Sequence, residues 1–198
     1  MSFNKAFTDL VNAFTKFPGV GRRSAERMAY YLLKMPLSQV KDLAVKMEEL
    51  HNHIKPCRIC NNFSSGDACH ICADVKRDKD VVCIVEEPKD IMAIEKTSSY
   101  NGIYYVLLGR ISPLEGVYGE ELNLGKLISR LEKGEVSEVI ISTDPDNEGE
   151  LTAQYLIEKI SPYKVKIYRI AIGIPLGTQI EYIDSVTLGK ALVERRLV

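Results

Sequence analysis

Cys57-x-x-Cys60 and Cys69-x-x-Cys72 are separated by eight residues that include Gly66 and Asp67. Each close pair of thiolates can form a knuckle around a metal, and a short loop lets two knuckles converge on one tetrahedral Zn²⁺. Four sulfur ligands leave no position open for water or substrate, so the zinc is expected to be structural. Its binding would be coupled to the folding of a segment too poor in apolar residues to fold alone. Disulfide pairing is the competing chemistry, which a cytosolic setting disfavours. The set is complete without His51, His53 or His70. Cys83 lies inside the apolar run Val81-Val-Cys-Ile-Val85 and reads as a small core side chain.

A second cluster is the stretch Ser142-Thr-Asp-Pro-Asp-Asn-Glu-Gly-Glu150, in which Asp144, Asp146, Glu148 and Glu150 alternate, with Glu138 shortly before. Carboxylates this close repel one another unless a cation or a basic partner sits among them. The stretch follows Val139-Ile-Ile and opens a helical pattern through Ala153, Leu156 and Ile157. It therefore reads as a strand, a sharp acidic turn and a helix, and open α/β sheets place ligands at such carboxyl ends. Mg²⁺ takes one or two carboxylates and keeps several waters, which suits this turn; a solvated acidic loop is the plainer reading. A calcium loop is excluded because its twelfth position is Tyr155 where a bidentate Glu is needed, and a strand precedes it instead of a helix. A phosphate loop over Gly119 to Leu127 fails in spacing and carries Leu127 where Ser or Thr is required, so ATP hydrolysis is not expected.

The third set is basic. Gly19-Val20-Gly21 follows Phe17-Pro18 and precedes Arg22, Arg23 and Arg27, with Lys16 just upstream. Glycines make the tight turn, and the unpaired N–H groups that open the next helix form an anion site fit for a phosphate oxygen. The run Pro18 to Ala29 resembles the helix-hairpin-helix motif of sequence-independent DNA-binding proteins, which grip backbone and not base edges. Lys16, Gly19, Gly21, Arg22, Arg23 and Arg27 are the candidate contacts.

The elements that must position these groups can be read from periodicity. Phe3, Phe7, Leu10, Val11, Phe14 and Phe17 recur at helical spacing, Arg22 to Leu33 resume it, and Leu37, Val40, Leu43, Ala44, Met47, Leu50 and Ile54 describe a third helix after Pro36. From Val81 the pattern alternates. Strands are expected at 81–85, 103–108, 138–142 and 164–170, with helices near 91–96, 124–131 and 148–160. This predicts an α/β fold with a mostly parallel sheet and helices on both faces, behind an amino-terminal helical module and a small zinc module. In a parallel sheet the strand ending at Glu86 and the strand ending near Asp144 share an edge, so Glu86 would face Asp144 and Asp146.

Bulk properties fit a modular protein of 198 residues with 45% hydrophobic content. Residues 1–77 hold 12 Lys and Arg against 7 Asp and Glu, whereas residues 78–198 hold 14 against 20. An amino-terminal part that meets polyanions and a carboxy-terminal part that meets cations or basic partners would carry such an asymmetry, as would unevenly charged solvated faces. No apolar run reaches the ~20 residues that span a bilayer, and Met1-Ser-Phe-Asn-Lys has no signal-peptide pattern, so a cytoplasmic, nucleoid-associated location and no membrane partner are expected.

A strand ending in Glu86 and another followed by Asp144-x-Asp146 is the pattern of the Toprim domain, and Thr143 to Glu150 is similar to the topoisomerase version. The order helix-hairpin-helix, Cys₄ knuckles, Toprim resembles the bacterial RecR recombination mediators over essentially the whole chain, as do Gly109-Arg-Ile-Ser-Pro-Leu-Glu-Gly116 and Arg169 to Gly177. The resemblance implies a helix-hairpin-helix module at 1–55, a Cys₄ zinc finger at 56–76, a Toprim domain at 78–172 and an oligomerising segment at 173–198. It implies a non-enzymatic DNA-repair protein forming a ring-like homotetramer around DNA. With RecO, and separately with RecF, it would load RecA onto strands coated by single-strand-binding protein. Arg22, Arg23 and Arg27 would then grip phosphates and the zinc module would brace the hairpin. The acidic edge of Glu86, Asp144, Asp146, Glu148 and Glu150 would dock a basic partner. Leu192 to Val198 and the segment around Gly173 to Gly177 would help join protomers. Two residues depart from the family pattern: Asp144 stands where a neutral residue such as Asn is usual, and Ile172 where His is. The complete acidic set keeps a Mg²⁺-dependent Toprim nuclease or topoisomerase-like enzyme as the alternative, in which metal-bound carboxylates stabilise charge on a phosphate. Against it, none of the ten tyrosines has a context marking it as a nucleophile.

Overall fold

A computed structural model describes residues 4–171 and 173–195. Phe3, Ile172 and the end of the Leu192 to Val198 segment lie outside the described residues. The chain divides into two compact units, Met1–His53 and Ile54–Val198.

The first unit is helical. Asn4 caps α1 (Lys5–Phe14) by accepting the Ala6 N–H at 3.0 Å. The helix stops at Thr15, earlier than the Phe periodicity implied, because the next residues make successive turns that return Val20 N–H to the Phe17 carbonyl. α2 (Arg22–Lys34) starts at Gly21, and α3 (Leu37–His53) follows Pro36. Val11 on α1 and the small residues Ala25 and Ala29 on α2 are buried together, with Phe7, Phe14 and Val20 packed around them. Alanines let the two helix axes approach closely at the cost of a small core. α3 buries no residue, and Leu37, Met47 and Leu50 are 68%, 52% and 66% exposed. Its apolar stripe is thus left largely open among the described residues.

The second unit opens with a two-stranded antiparallel ribbon, β1 (Lys55–Pro56) and β2 (Phe63–Ser64), and a short helix α4 (His70–Ala73). The main sheet follows: β3 (Asp78–Val85), α5 (Pro88–Glu95), β4 (Gly102–Val106), α6 (Gly125–Glu132), β5 (Glu138–Ser142), α7 (Asn147–Ile160) and β6 (Lys166–Arg169), with α8 (Ser185–Val193) beyond it. Strand order is β4-β3-β5-β6 and every pairing is parallel. β4 is buried at every position, as expected of a strand covered on both faces. Val82, Ile84, Val106, Val139, Ile141, Leu127, Leu156 and Ile160 form its core. Cys83 is buried in that core, and burial pushes its thiol up to about 12, so it serves as an inert apolar side chain.

Candidate functional site

The acidic edge is built by strand register. Val85 pairs with Ser142, so β3 and β5 end side by side and their next residues meet. The Asp144 N–H donates to Glu86 Oε1 at 3.2 Å. Asp146 caps α7 by accepting the Gly149 N–H at 2.8 Å, and Thr143 Oγ1 donates to the Gly149 carbonyl at 2.9 Å. Gly149 is required here because a Cβ at that position would overlap the Asp144 carbonyl oxygen.

Arg110 enters this edge from the segment after β4. The Ile111 N–H donates to Thr152 Oγ1 at 2.9 Å and Ser112 Oγ to Glu148 Oε1 at 2.5 Å, which pins the segment against α7. The guanidinium then lies 2.8 Å from Asp146 Oδ2 and 2.8 Å from Glu148 Oε2. Asp144 and Glu86 are 3.8 and 3.9 Å away. Glu150 points elsewhere, accepting from Arg169 Nη1 at 2.6 Å. Of the five acidic residues singled out from sequence, four surround one arginine and the fifth has its own.

The electrostatics follow from these contacts. Burial raises the Glu86 carboxyl above its usual range and the neighbouring Asp144 charge adds to this, against the Asp144 N–H and Arg110. The Gly149 N–H and then Arg110 hold Asp146 below its usual range, and Arg169 does the same for Glu150. A Toprim fold raises the question of Mg²⁺, and these residues do not fit it as a resident ion. The central position among the carboxylates is taken by a guanidinium that already spends two of them in short hydrogen bonds, and a dication there would meet its charge at close range. The edge is therefore an acidic surface with one arginine at its centre, bordered by a cavity of about 430 Å³ that Glu86, Glu87, Asp90, Arg110 and Asp144 line.

The cysteines fit their metal. Cys57, Cys60, Cys69 and Cys72 are all buried, and their sulfurs lie within 4.8 Å of one another. Burial alone would raise the Cys57 thiol, but N–H groups of Cys69, Cys60 and Ile59 bring it down to about 7. The Ile59 and Cys69 N–H groups are 3.4 and 3.3 Å from its sulfur. N–H groups aimed at a sulfur prepare a thiolate, which is the species that binds zinc. Cys60 is raised instead, through its side-chain hydrogen bond with Cys72 and burial. The bonds that anchor this loop run to the sheet: Val106 N–H donates to the Cys60 carbonyl at 2.8 Å and Asn61 Nδ2 to the Val106 carbonyl at 3.0 Å. Lys126 Nζ on α6 donates to Asn61 Oδ1 at 2.6 Å. His53 bonds the Glu49 carbonyl on its own helix.

At the glycine turn, Gly19 has φ +75°, the left-handed region that glycine tolerates. α2 carries no side-chain cap. Lys16, Gly19, Gly21, Arg22, Arg23 and Arg27 are all exposed, and Arg22 is paired along the helix with Glu26 at 3.3 Å. An uncapped helix start beside exposed arginines offers N–H groups and positive charge to a phosphate.

Sequence reasoning gave no role to Arg110, Ser112, Thr152, Asn61 or Lys126. The available signal for Arg110 was its place directly after β4, whose carboxyl end adjoins that of β3. No helix among the described residues is long and apolar enough to cross a membrane.

Comparison with known proteins follows the same partition. The family model of the RecR helix-hairpin-helix matches residues 7–51, that of the RecR four-cysteine zinc finger domain 54–74, that of the Toprim domain 80–171 and that of the RecR C-terminal region 173–196. Recombination protein RecR of Tropheryma whipplei (strain TW08/27) is 42% identical over 190 residues, spanning 96% of each chain. Recombination protein RecR of Bifidobacterium longum subsp. infantis is 44% identical over 196 residues, spanning 99% of this chain and 98% of its own. With all four segments matched in order and relatives aligned over nearly their full length, the chain belongs to the RecR family of recombination proteins.

Proposed function

We infer that this protein is a non-enzymatic recombination mediator in DNA repair. It binds DNA independently of sequence through Arg22, Arg23 and Arg27 with Lys16 and the Gly19–Gly21 turn, and presents its acidic edge to basic partners. The observation that carries this reading is Arg110 among Glu86, Asp144, Asp146 and Glu148. An arginine at the centre turns a catalytic-looking set of carboxylates into a polar recognition surface. A basic residue of RecO or RecF would exchange with Arg110 for Asp144 and Asp146, whose side chains are 58% and 51% exposed. In this role the protein helps load RecA on strands coated by single-strand-binding protein. The module boundaries near residues 55, 77 and 172 are retained in this reading.

Self-assembly into a ring-like tetramer is part of the same reading. It draws support from apolar surface left uncovered in one chain, Leu33, Leu37 and Leu50 in the first unit and Ile180, Tyr182 and Val193 near the carboxy terminus. The cytoplasm, at the nucleoid, is where such a mediator works.

The alternative, a Mg²⁺-dependent Toprim nuclease or topoisomerase-like enzyme, draws on Asp144, which completes the acidic set, and requires Arg110 to leave its place among the carboxylates. Incubating the purified protein with Mg²⁺ and supercoiled or single-stranded DNA, beside Asp144→Ala, separates the two. The mediator reading expects no cleavage or relaxation by either protein. Turnover by the wild type that the variant lacks would establish the enzyme.

A further inference from the structure

Within the unit Ile54–Val198, the first zinc knuckle, the start of β3 and α6 enclose a cavity of about 760 Å³ that shares no lining residue with the acidic edge. Five of its lining residues are cations, Arg58, Lys79, Lys126, Arg130 and Lys133, against one carboxylate, Glu135. Among the described residues, two of the five cations have a carboxylate partner and three do not. Glu135 lies 3.5 Å from Arg130 Nε, and Arg58 meets Asp67 at 3.1 Å in a pair exposed to solvent. Lys126 is held by two neutral acceptors, the Asn61 side-chain oxygen at 2.6 Å and the Cys57 carbonyl at 3.1 Å, which fix its direction and leave its charge intact. Lys79 and Lys133 are exposed and make no ion pair among the described residues. Arg130 donates through Nη2 to the Lys79 carbonyl at 2.6 Å, while its Nη1 is enclosed and has no acceptor. The amino-terminal end of α6, which has no side-chain cap, also opens here through Gly125.

Cations gathered around a concave surface add their fields on whatever enters. Ile59 and Ile103 add apolar lining beneath the charged rim. A cavity of this volume takes a ligand of nucleotide size. We propose that this cavity is a second phosphate site, distinct from the glycine turn, that takes one nucleotide unit with its phosphate on Lys79, Lys126 and Lys133 and its sugar or base against Ile59 and Ile103. The phosphate comes either from a DNA strand or from a free nucleoside triphosphate.

The test uses the full chain with zinc bound and the double variant Lys79→Glu, Lys133→Glu, whose side chains carry no structural bond, beside a control, Lys96→Glu, Lys164→Glu, with the same charge change outside the cavity. One arm titrates a fluorescent single-stranded oligonucleotide across a salt series; the other titrates ATP, and separately inorganic phosphate, by calorimetry. If the strand is the source, the cavity variant binds the oligonucleotide about tenfold more weakly and its salt slope falls by about 0.7, the value for one lost phosphate contact on single strands. If the free nucleotide is the source, wild type binds ATP with measurable heat that the cavity variant loses, and Arg22→Glu with Arg23→Glu keeps it. The proposal is overturned if the cavity variant matches wild type in both arms, or if the control weakens binding as much as the cavity variant does.

Discussion

At the scale of single residues, the decisive feature is a basic side chain inside an acidic set. Arg110 contacts Asp146 and Glu148 directly, so removing it leaves four carboxylates with no resident cation. Arg110→Ala should therefore gain affinity for divalent ions that the wild type lacks, read as Mn²⁺-induced proton relaxation, and adding Asp144→Asn should reduce that gain. Equal Mn²⁺ binding by wild type and Arg110→Ala would show that the guanidinium does not hold the site. Glu86 makes the opposite kind of prediction. Its folded carboxyl is raised, so relative to the unfolded chain it favours stability at pH below the ordinary Glu range, a contribution lost as pH rises through the raised value. Glu86→Gln keeps an oxygen for the Asp144 N–H and removes the buried charge. Its melting temperature should exceed wild type at pH 7 and converge with it near pH 4, as checked by melting across that range.

Residue types and spacing made the thiols, the acidic run and the glycine turn legible, because each is a local pattern in the chain. Arg110 was not legible, since its partner Asp146 is 36 positions away and only the order β4-β3-β5 brings the two together. Lys126 escaped notice for the same reason, its bond to Asn61 spanning 65 positions.

At the scale of elements, the zinc loop and the sheet form one structure. The loop continues β4 through the Val106 to Cys60 and Asn61 to Val106 bonds, so losing the metal should loosen the strand end as well as the knuckles. A loss of about 3 kcal/mol, modest for a structural zinc, corresponds to a fall of roughly 6–12 °C in melting temperature for a chain of this size. Scanning calorimetry before and after complete chelation measures it, and an unchanged transition would remove the structural role. The turn before α7 depends on one glycine. Gly149→Ala forces the new methyl against the Asp144 carbonyl and should cost about 1–3 kcal/mol in denaturant unfolding, where an unhindered helical Gly→Ala would gain up to about 1 kcal/mol. Strand and helix alternation predicted the parallel sheet, and the helical periods of the amino-terminal unit were equally plain. What periodicity left open is which stripe finds a cover: α3 carries an apolar period, weaker than that of α1, and none of its residues is buried.

At the scale of the whole molecule, the two units carry different surfaces. The first has exposed arginines beside an uncapped helix start, and the second has an acidic edge with its own counter-cation and a cation-lined cavity. On the proposed reading, the first surface is the grip on DNA and the acidic edge is the face for basic partners. The charge split between residues 1–77 and 78–198 shows in the sequence alone, whereas the gathering of Glu86, Asp144, Asp146 and Glu148 at one strand edge depends on the fold. Arg22→Glu with Arg23→Glu reverses charge at two exposed positions of the turn and breaks the surface pair Arg22–Glu26; it should lower affinity for DNA by at least about 100-fold at low salt while costing no more than about 1 kcal/mol of stability. The most direct measurement is RecA-catalysed ATP hydrolysis on single-stranded DNA coated by single-strand-binding protein, with RecO present and this protein added. The wild type should shorten the lag before hydrolysis, and both Arg22→Glu with Arg23→Glu and the edge variant Asp146→Arg should fail to do so. A wild type that leaves the lag unchanged, or an edge variant that shortens it as well as the wild type, would contradict the account.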